Sequence, residues 1–217
     1  MQKRHTSLPA GVERRAFPIE LRAEDADAPG LIGYAARYNV LSGNLGGFRE
    51  RILPGAFADA VLTSDIRALW NHEDSLVLGR TKSGTLRVAD TELGLHVEID
   101  LPDTTAGRDA LTSIRRGDVD QMSFAFTVGP DGDRWFEDED GRVIREIRSV
   151  KELFDVSPVT YPAYDATTVS ARSIAEARMA TASTDAERAA LRKMLDGGRP
   201  KGRPVSYFQK RLDLASL

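Results

Sequence analysis

The sequence predicts a mainly β fold with flanking helices, of the α+β class, and three observations carry that prediction. From Phe17 to about Val169 the apolar residues recur mostly every second position, as they do in a half-buried strand. Pro-Gly and Ser-Gly pairs punctuate these segments as turns. Two stretches inside the region have helical spacing instead. At 217 residues, with 41% hydrophobic and 29% charged, the chain can form one sizeable globular domain with appendages, or two small ones.

Phe17, Ile19 and Leu21 alternate with Pro18, Glu20 and Arg22 as a first strand, and Pro29-Gly30 turns into a second, Leu31 to Tyr38. Pro54-Gly55 opens a short helix over Ala56 to Leu62, where Phe57, Ala60 and Val61 fall on one face. Ile66 to Trp70 is extended, so His72 stands where a strand ends, before the apolar run Leu76-Val77-Leu78. After the Ser83-Gly84 turn, a long strand places Leu93, Leu95, Val97, Ile99 and Leu101 on one face. Asp103 to Arg116 has cap residues first, Leu111 and Ile114 three apart, arginines in its last turn and Gly117 beyond it, which together specify a helix. Met122, Phe124, Phe126 and Val128 alternate with Ser123, Ala125 and Thr127, so Ser123 avoids the large-residue face. Asp131 to Arg142, rich in Gly and acids, reads as a long loop in which Trp135-Phe136 either anchors to the body or lines a groove. A last strand covers about Val150 to Thr160. Ile174 to Leu195 has a helix-forming composition, and the Gly-, Arg- and Pro-rich run after it reads as a basic flexible tail. The expected division is a flexible leader at 1–14, a domain at 15–172 and a helical arm with its tail at 173–217.

Composition removes several function classes. The net charge of −3 gives no bulk attraction to nucleic acid. Without cysteine there is no thiolate nucleophile, disulfide or Cys-based metal site. No apolar stretch approaches bilayer length and Met1-Gln2-Lys3-Arg4-His5 lacks a secretion signal's apolar core, so the chain reads as intracellular, with no membrane partner. Phosphate-loop, dinucleotide and HExxH motifs do not occur, and consecutive His72-Glu73-Asp74 cannot converge on one ion, so neither cofactor nor metal is expected. The run Glu137 to Asp140 either attracts a basic substrate or keeps a loop soluble.

Serine, histidine and carboxylates remain for chemistry, and a serine hydroxyl becomes a nucleophile only when a base removes its proton. Of three histidines, His5 lies in the leader and His96 shares a polar strand face with Glu98 and Asp100, where solvent exposure is expected. His72, at a strand end beside Trp70, is the candidate base, with a solvated turn residue as the alternative. Asp155, between Phe154 and Val156, must be hydrogen-bonded, paired or, on an edge strand, turned to water.

The succession Gly33-Tyr34-Ala35-Ala36, Leu53-Pro54-Gly55-Ala56-Phe57, Leu69-Trp70-Asn71-His72-Glu73, Leu78-Gly79-Arg80-Thr81, Met122-Ser123-Phe124 and Val156-Ser157-Pro158-Val159-Thr160-Tyr161-Pro162-Ala163 resembles the prohead proteases of tailed bacteriophages. It covers roughly residues 15 to 172. The resemblance implies a compact β-barrel similar to the herpesvirus assemblin proteases and a serine endopeptidase acting in capsid maturation. In that family's pattern His72 takes the place of the general base and Ser123 that of the nucleophile. Asp155 matches the carboxylate before Ser-Pro-Val, although Glu is common there, and Ala125 stands where Gly is frequent. The implied partners are the major capsid protein with its scaffolding segment, the protease itself as a self-cleavage substrate, and a second copy in a homo-oligomer. The implied location is the host cytoplasm, inside the assembling procapsid. The alternative from another class is a capsid-assembly module that keeps the barrel and cuts nothing. An enzyme of the first kind loses activity as pH falls through the ordinary histidine pKa of about 6.5.

Overall fold

A computed structural model of the chain describes residues 11–18, 22–25, 29–161, 175–176, 178–180 and 182–197. Its elements follow in chain order as β1 (Glu13–Pro18), β2 (Arg22–Asp25), β3 (Pro29–Arg37), β4 (Arg49–Ile52), α1 (Ala58–Thr63), β5 (Arg67–Leu69) and β6 (Val77–Arg80). Then come β7 (Leu86–Asp90), β8 (Gly94–Asp100), α2 (Thr105–Arg115), β9 (Gln121–Val128), β10 (Asp133–Glu137), β11 (Val143–Ile147), β12 (Val150–Val159) and α3 (Asp185–Gly197). The class is mainly β with a few helices, as the period-two pattern predicts. His5 and the tail from 198 onward lie outside the described residues, and β1 begins at Glu13, inside the stretch expected as a leader.

The alternation in β9 organises the main core. Met122, Phe124 and Phe126 enter it from one face of the strand, and Phe124 meets Phe57 edge-on with ring centroids 5.5 Å apart. β9 lies between β1 and β12, both antiparallel to it; β12 pairs in parallel with β5, and β5 antiparallel with β6, giving the order β1-β9-β12-β5-β6. A second sheet, β2-β3-β8-β7, packs on this one: β3 meets β1 and β9, and β6 meets β7 and β8. Leu31, Leu95, Val97 and Ile99 supply its inner face. Each such fully buried side chain contributes about 1.5–3 kcal/mol. Where β8 starts, Gly94 adopts φ +149° and a Cβ there would lie 2.1 Å from the Ala36 carbonyl oxygen, so only glycine fits. α2 opens on Thr104, whose hydroxyl accepts the Gly107 N–H at 3.2 Å, and it buries Gly107, Ala110 and Ile114 toward β2, β3 and β6.

Two expectations need correcting. Among the described residues the strands form separate sheets of five, three and four strands, and no closed barrel results. The long loop expected at Asp131 to Arg142 is mostly a β-hairpin, β10 paired with β11, and β11 runs parallel to β4. Trp135 is its anchor: it is 1% exposed in a second core with Leu45, Phe48 and Val143, closed by Ala190, Leu191 and Met194 of α3. Three of the four acids at the hairpin tip are paired within the chain, Asp138 and Asp140 with Arg142 and Glu137 with Lys193 of α3.

Buried charges join this third sheet to β1. Arg145 bonds Glu13, Glu50 and Asp133, while Arg15 bonds Glu50 at 2.8 Å and Glu13 at 2.7 Å. Burial alone would push the Glu13 carboxyl up, but the charges of Arg145 and Arg15 and their hydrogen bonds prevail and hold it down at about 2.

Candidate functional site

The other face of β9 carries Ser123 and Ala125, both fully buried. In the ladder Ser123 stands opposite Ser157 of β12, and Ala125 opposite Asp155. Directly opposed residues share a face, so the pleat brings Ser123, Asp155 and Ser157 to one side of the sheet. β12 is an interior strand between β9 and β5, and Asp155 is 3% exposed. That rules out a charge on an edge strand facing water. The Ala125 methyl lies on this same face, beside the position of the carboxylate.

His72 reaches the site from the turn after β5. The β5–β12 ladder pairs Arg67 with Asp155 and Ala68 with Val156, then stops. Pro158 has no N–H to extend it, while its carbonyl, on the same side of the strand, accepts the Asn71 N–H at 3.0 Å. Asn71 also accepts the Thr160 N–H on its side-chain oxygen at 2.9 Å and donates its amide to the Thr160 hydroxyl at 3.3 Å. Asn71 (φ 53°) and His72 (φ 58°) are both left-handed, a conformation that Asn and His tolerate better than most residues. Two such residues in succession reverse the chain sharply. The clamp to β12 holds that reversal in place.

The imidazole bridges the two strands. Its Nδ1 lies 2.6 Å from Asp155 Oδ1 and its Nε2 lies 2.7 Å from Ser123 Oγ. The ring is 6% exposed. An ionised carboxylate only accepts, so Nδ1 carries the hydrogen and donates it, leaving the Nε2 lone pair to accept the Ser123 O–H. Asp155 Oδ1 takes a second hydrogen bond, donated by Ser157 Oγ at 2.6 Å. Such an arrangement can raise the nucleophilicity of one hydroxyl, because the proton it loses moves to a base already oriented and paired with a negative charge. Ser123 is fully buried, so a substrate carbonyl reaches Oγ only after the groups covering it move aside.

The three candidate residues therefore converge, and His96, the other histidine among the described residues, does not join them. His96 is half-buried rather than exposed, packed edge-on against Tyr34 with centroids 5.2 Å apart and 3.9 Å from Glu98. Two members of the constellation escaped the sequence reading. Ser157 could have been found from its spacing of two from Asp155 on a strand, and Asn71 from its place before a histidine in a tight turn. Among the described residues no group of three or more acidic or histidine side chains could hold a metal ion, and no helix is long and apolar enough to cross a membrane.

Comparison with known proteins adds the following. The family model described as Caudovirus prohead serine protease matches residues 17–181. Among solved structures, the capsid assembly protease gp21 of bacteriophage T4 matches at 14% identity and a TM-score of 0.35, covering 68% of this chain and 98% of its own. No curated protein matches the sequence.

Proposed function

The chain belongs to the caudovirus prohead serine protease family, and from that premise we propose that it is a serine endopeptidase of phage capsid maturation whose nucleophile, base and orienting carboxylate are Ser123, His72 and Asp155. The observation that carries the reading is the unbroken series of hydrogen bonds from Asp155 through His72 to Ser123. In the acylation half, Ser123 Oγ attacks the scissile carbonyl as its proton passes to His72 Nε2, and Asp155 stabilises the imidazolium so formed. The C–N bond breaks as His72 returns that proton to the leaving amine. In the second half, water loses a proton to His72, attacks the acyl carbon and expels Ser123, which is reprotonated. The substrates are the capsid protein with its scaffolding segment and the protease itself, inside the assembling procapsid.

A capsid-assembly module without catalysis is the second reading, and the complete burial of Ser123 is the observation in its favour. One experiment decides between them. Wild type and Ser123→Ala are each co-expressed with the phage's major capsid protein, and both polypeptides are examined for fragments. Cutting by wild type that falls at least about a thousandfold in the variant is the expected result. Equal cutting by both removes Ser123 as nucleophile, and no cutting by either under assembly conditions favours the non-catalytic module.

A further inference from the structure

Ser157 is fully buried, yet its hydroxyl faces a carboxylate rather than a backbone carbonyl. Two donors converge on the same oxygen: His72 Nδ1 and Ser157 Oγ each lie 2.6 Å from Asp155 Oδ1. The carboxylate can rotate about its Cβ–Cγ bond, a terminal torsion with a broad, roughly two-fold profile. A second donor on the oxygen that meets the imidazole narrows that rotation. We infer that Ser157 is a positioning residue for the proposed peptide hydrolysis, holding Asp155 Oδ1 toward His72; the inference rests on the roles proposed for Ser123, His72 and Asp155.

The geometry also separates the two serines. They are cross-strand neighbours on one face of the sheet, but His72 Nε2 meets Ser123 while Ser157 meets only the acid. A hydroxyl donating to a carboxylate at 2.6 Å has committed its proton to a much weaker base than imidazole. Ser157 therefore acts through Asp155. Its deletion should matter only while Asp155 is present.

The test uses an alkyl fluorophosphonate, which needs no knowledge of cleavage specificity. Ser123 Oγ forms an O–P bond, fluoride leaves, and the hydroxyl proton passes to His72. Labelling rates are measured for wild type, Ser123→Ala, Ser157→Ala, Asp155→Ala and the Asp155→Ala/Ser157→Ala double variant, with urea unfolding of each. The expected result is labelling that Ser123→Ala abolishes and that Ser157→Ala slows about tenfold, through the maximal rate and not through probe affinity. Asp155→Ala and the double variant should label at the same rate as each other. A Ser157→Ala rate equal to that of wild type, or a further tenfold loss in the double variant, overturns the positioning role alone. Wild type that takes no label, or label retained in Ser123→Ala, overturns the nucleophile assignment and the positioning role with it. A slower Ser157→Ala whose loss appears in probe affinity, or whose urea midpoint collapses, assigns Ser157 to packing and overturns the inference.

Discussion

Two buried polar clusters among the described residues are built to opposite plans. At the joint between β1 and the third sheet, Arg15 and Arg145 are each held by two or more carboxylates from Glu13, Glu50 and Asp133. These five residues lie on strands, and Arg178, outside the strands, pairs with Asp133 at 2.8 Å. In the candidate site there is one carboxylate, one imidazole and two hydroxyls, and the imidazole comes from a left-handed turn rather than a strand. The first cluster balances charge against charge and leaves no proton in transit. The second places a neutral acceptor against a hydroxyl, so that charge can appear during a reaction. Burial of polar groups is thus no mark of function by itself. What distinguishes the site is a proton with somewhere to go.

Arg145→Ala should have the largest effect on the ion cluster, because it takes one cation from three interior carboxylates at once, leaving Glu13 and Glu50 to share Arg15 and Asp133 to pair with Arg178. Removing one partner of a buried pair costs about 3–5 kcal/mol. Urea unfolding measures the loss, and the fluorophosphonate labelling rate of the folded fraction should be unchanged. A labelling rate that falls in parallel would break the distinction between the two clusters.

Acid should act on the same cluster in a smaller, graded way. Glu13 in the folded chain titrates at about 2, below its ordinary value of 4.5. Between those values the native state therefore holds fewer protons than the unfolded state, and stability increases with pH across the window. The stabilisation is complete above 4.5 and disappears as pH falls toward 2. Thermal unfolding followed from pH 5 down to about 2 should show this loss, and Glu13→Gln should flatten it. The smallest effect belongs to a polar pair outside both clusters. Thr104→Ala removes the acceptor for the Gly107 N–H and should cost about 1 kcal/mol in urea unfolding, with labelling unaffected.

The same contrast explains what could be read from the sequence. β3, β8, β9 and β12 were legible because their inward residues are apolar, as Leu95, Val97 and Ile99 are. β4, β10 and β11 were not. Their inward positions include Glu50, Asp133 and Arg145, and a charge in a strand pattern signals solvent until its partner is known. For Glu50 those partners, Arg15 and Arg145, are 35 and 95 residues away in sequence. Gly and acidic residues around Trp135 then made a hairpin look like a loop. In the site, parity in β9 was enough to place Ser123 away from the large side chains, whereas Asp155 stood out only as a carboxylate in an apolar strand. The approach of His72 depends on the left-handed turn at Asn71, which no periodicity reveals.

Interleaving three distant segments also sets an order of events in biosynthesis. His72 leaves the ribosome well before β12, the strand that supplies both Asp155 and the backbone anchor for its turn. Until β12 has been translated and has inserted between β9 and β5, a long-range and therefore slow step, the imidazole lacks both. Under the roles proposed for Ser123, His72 and Asp155, a growing polypeptide of this design does not cut itself while it is being made.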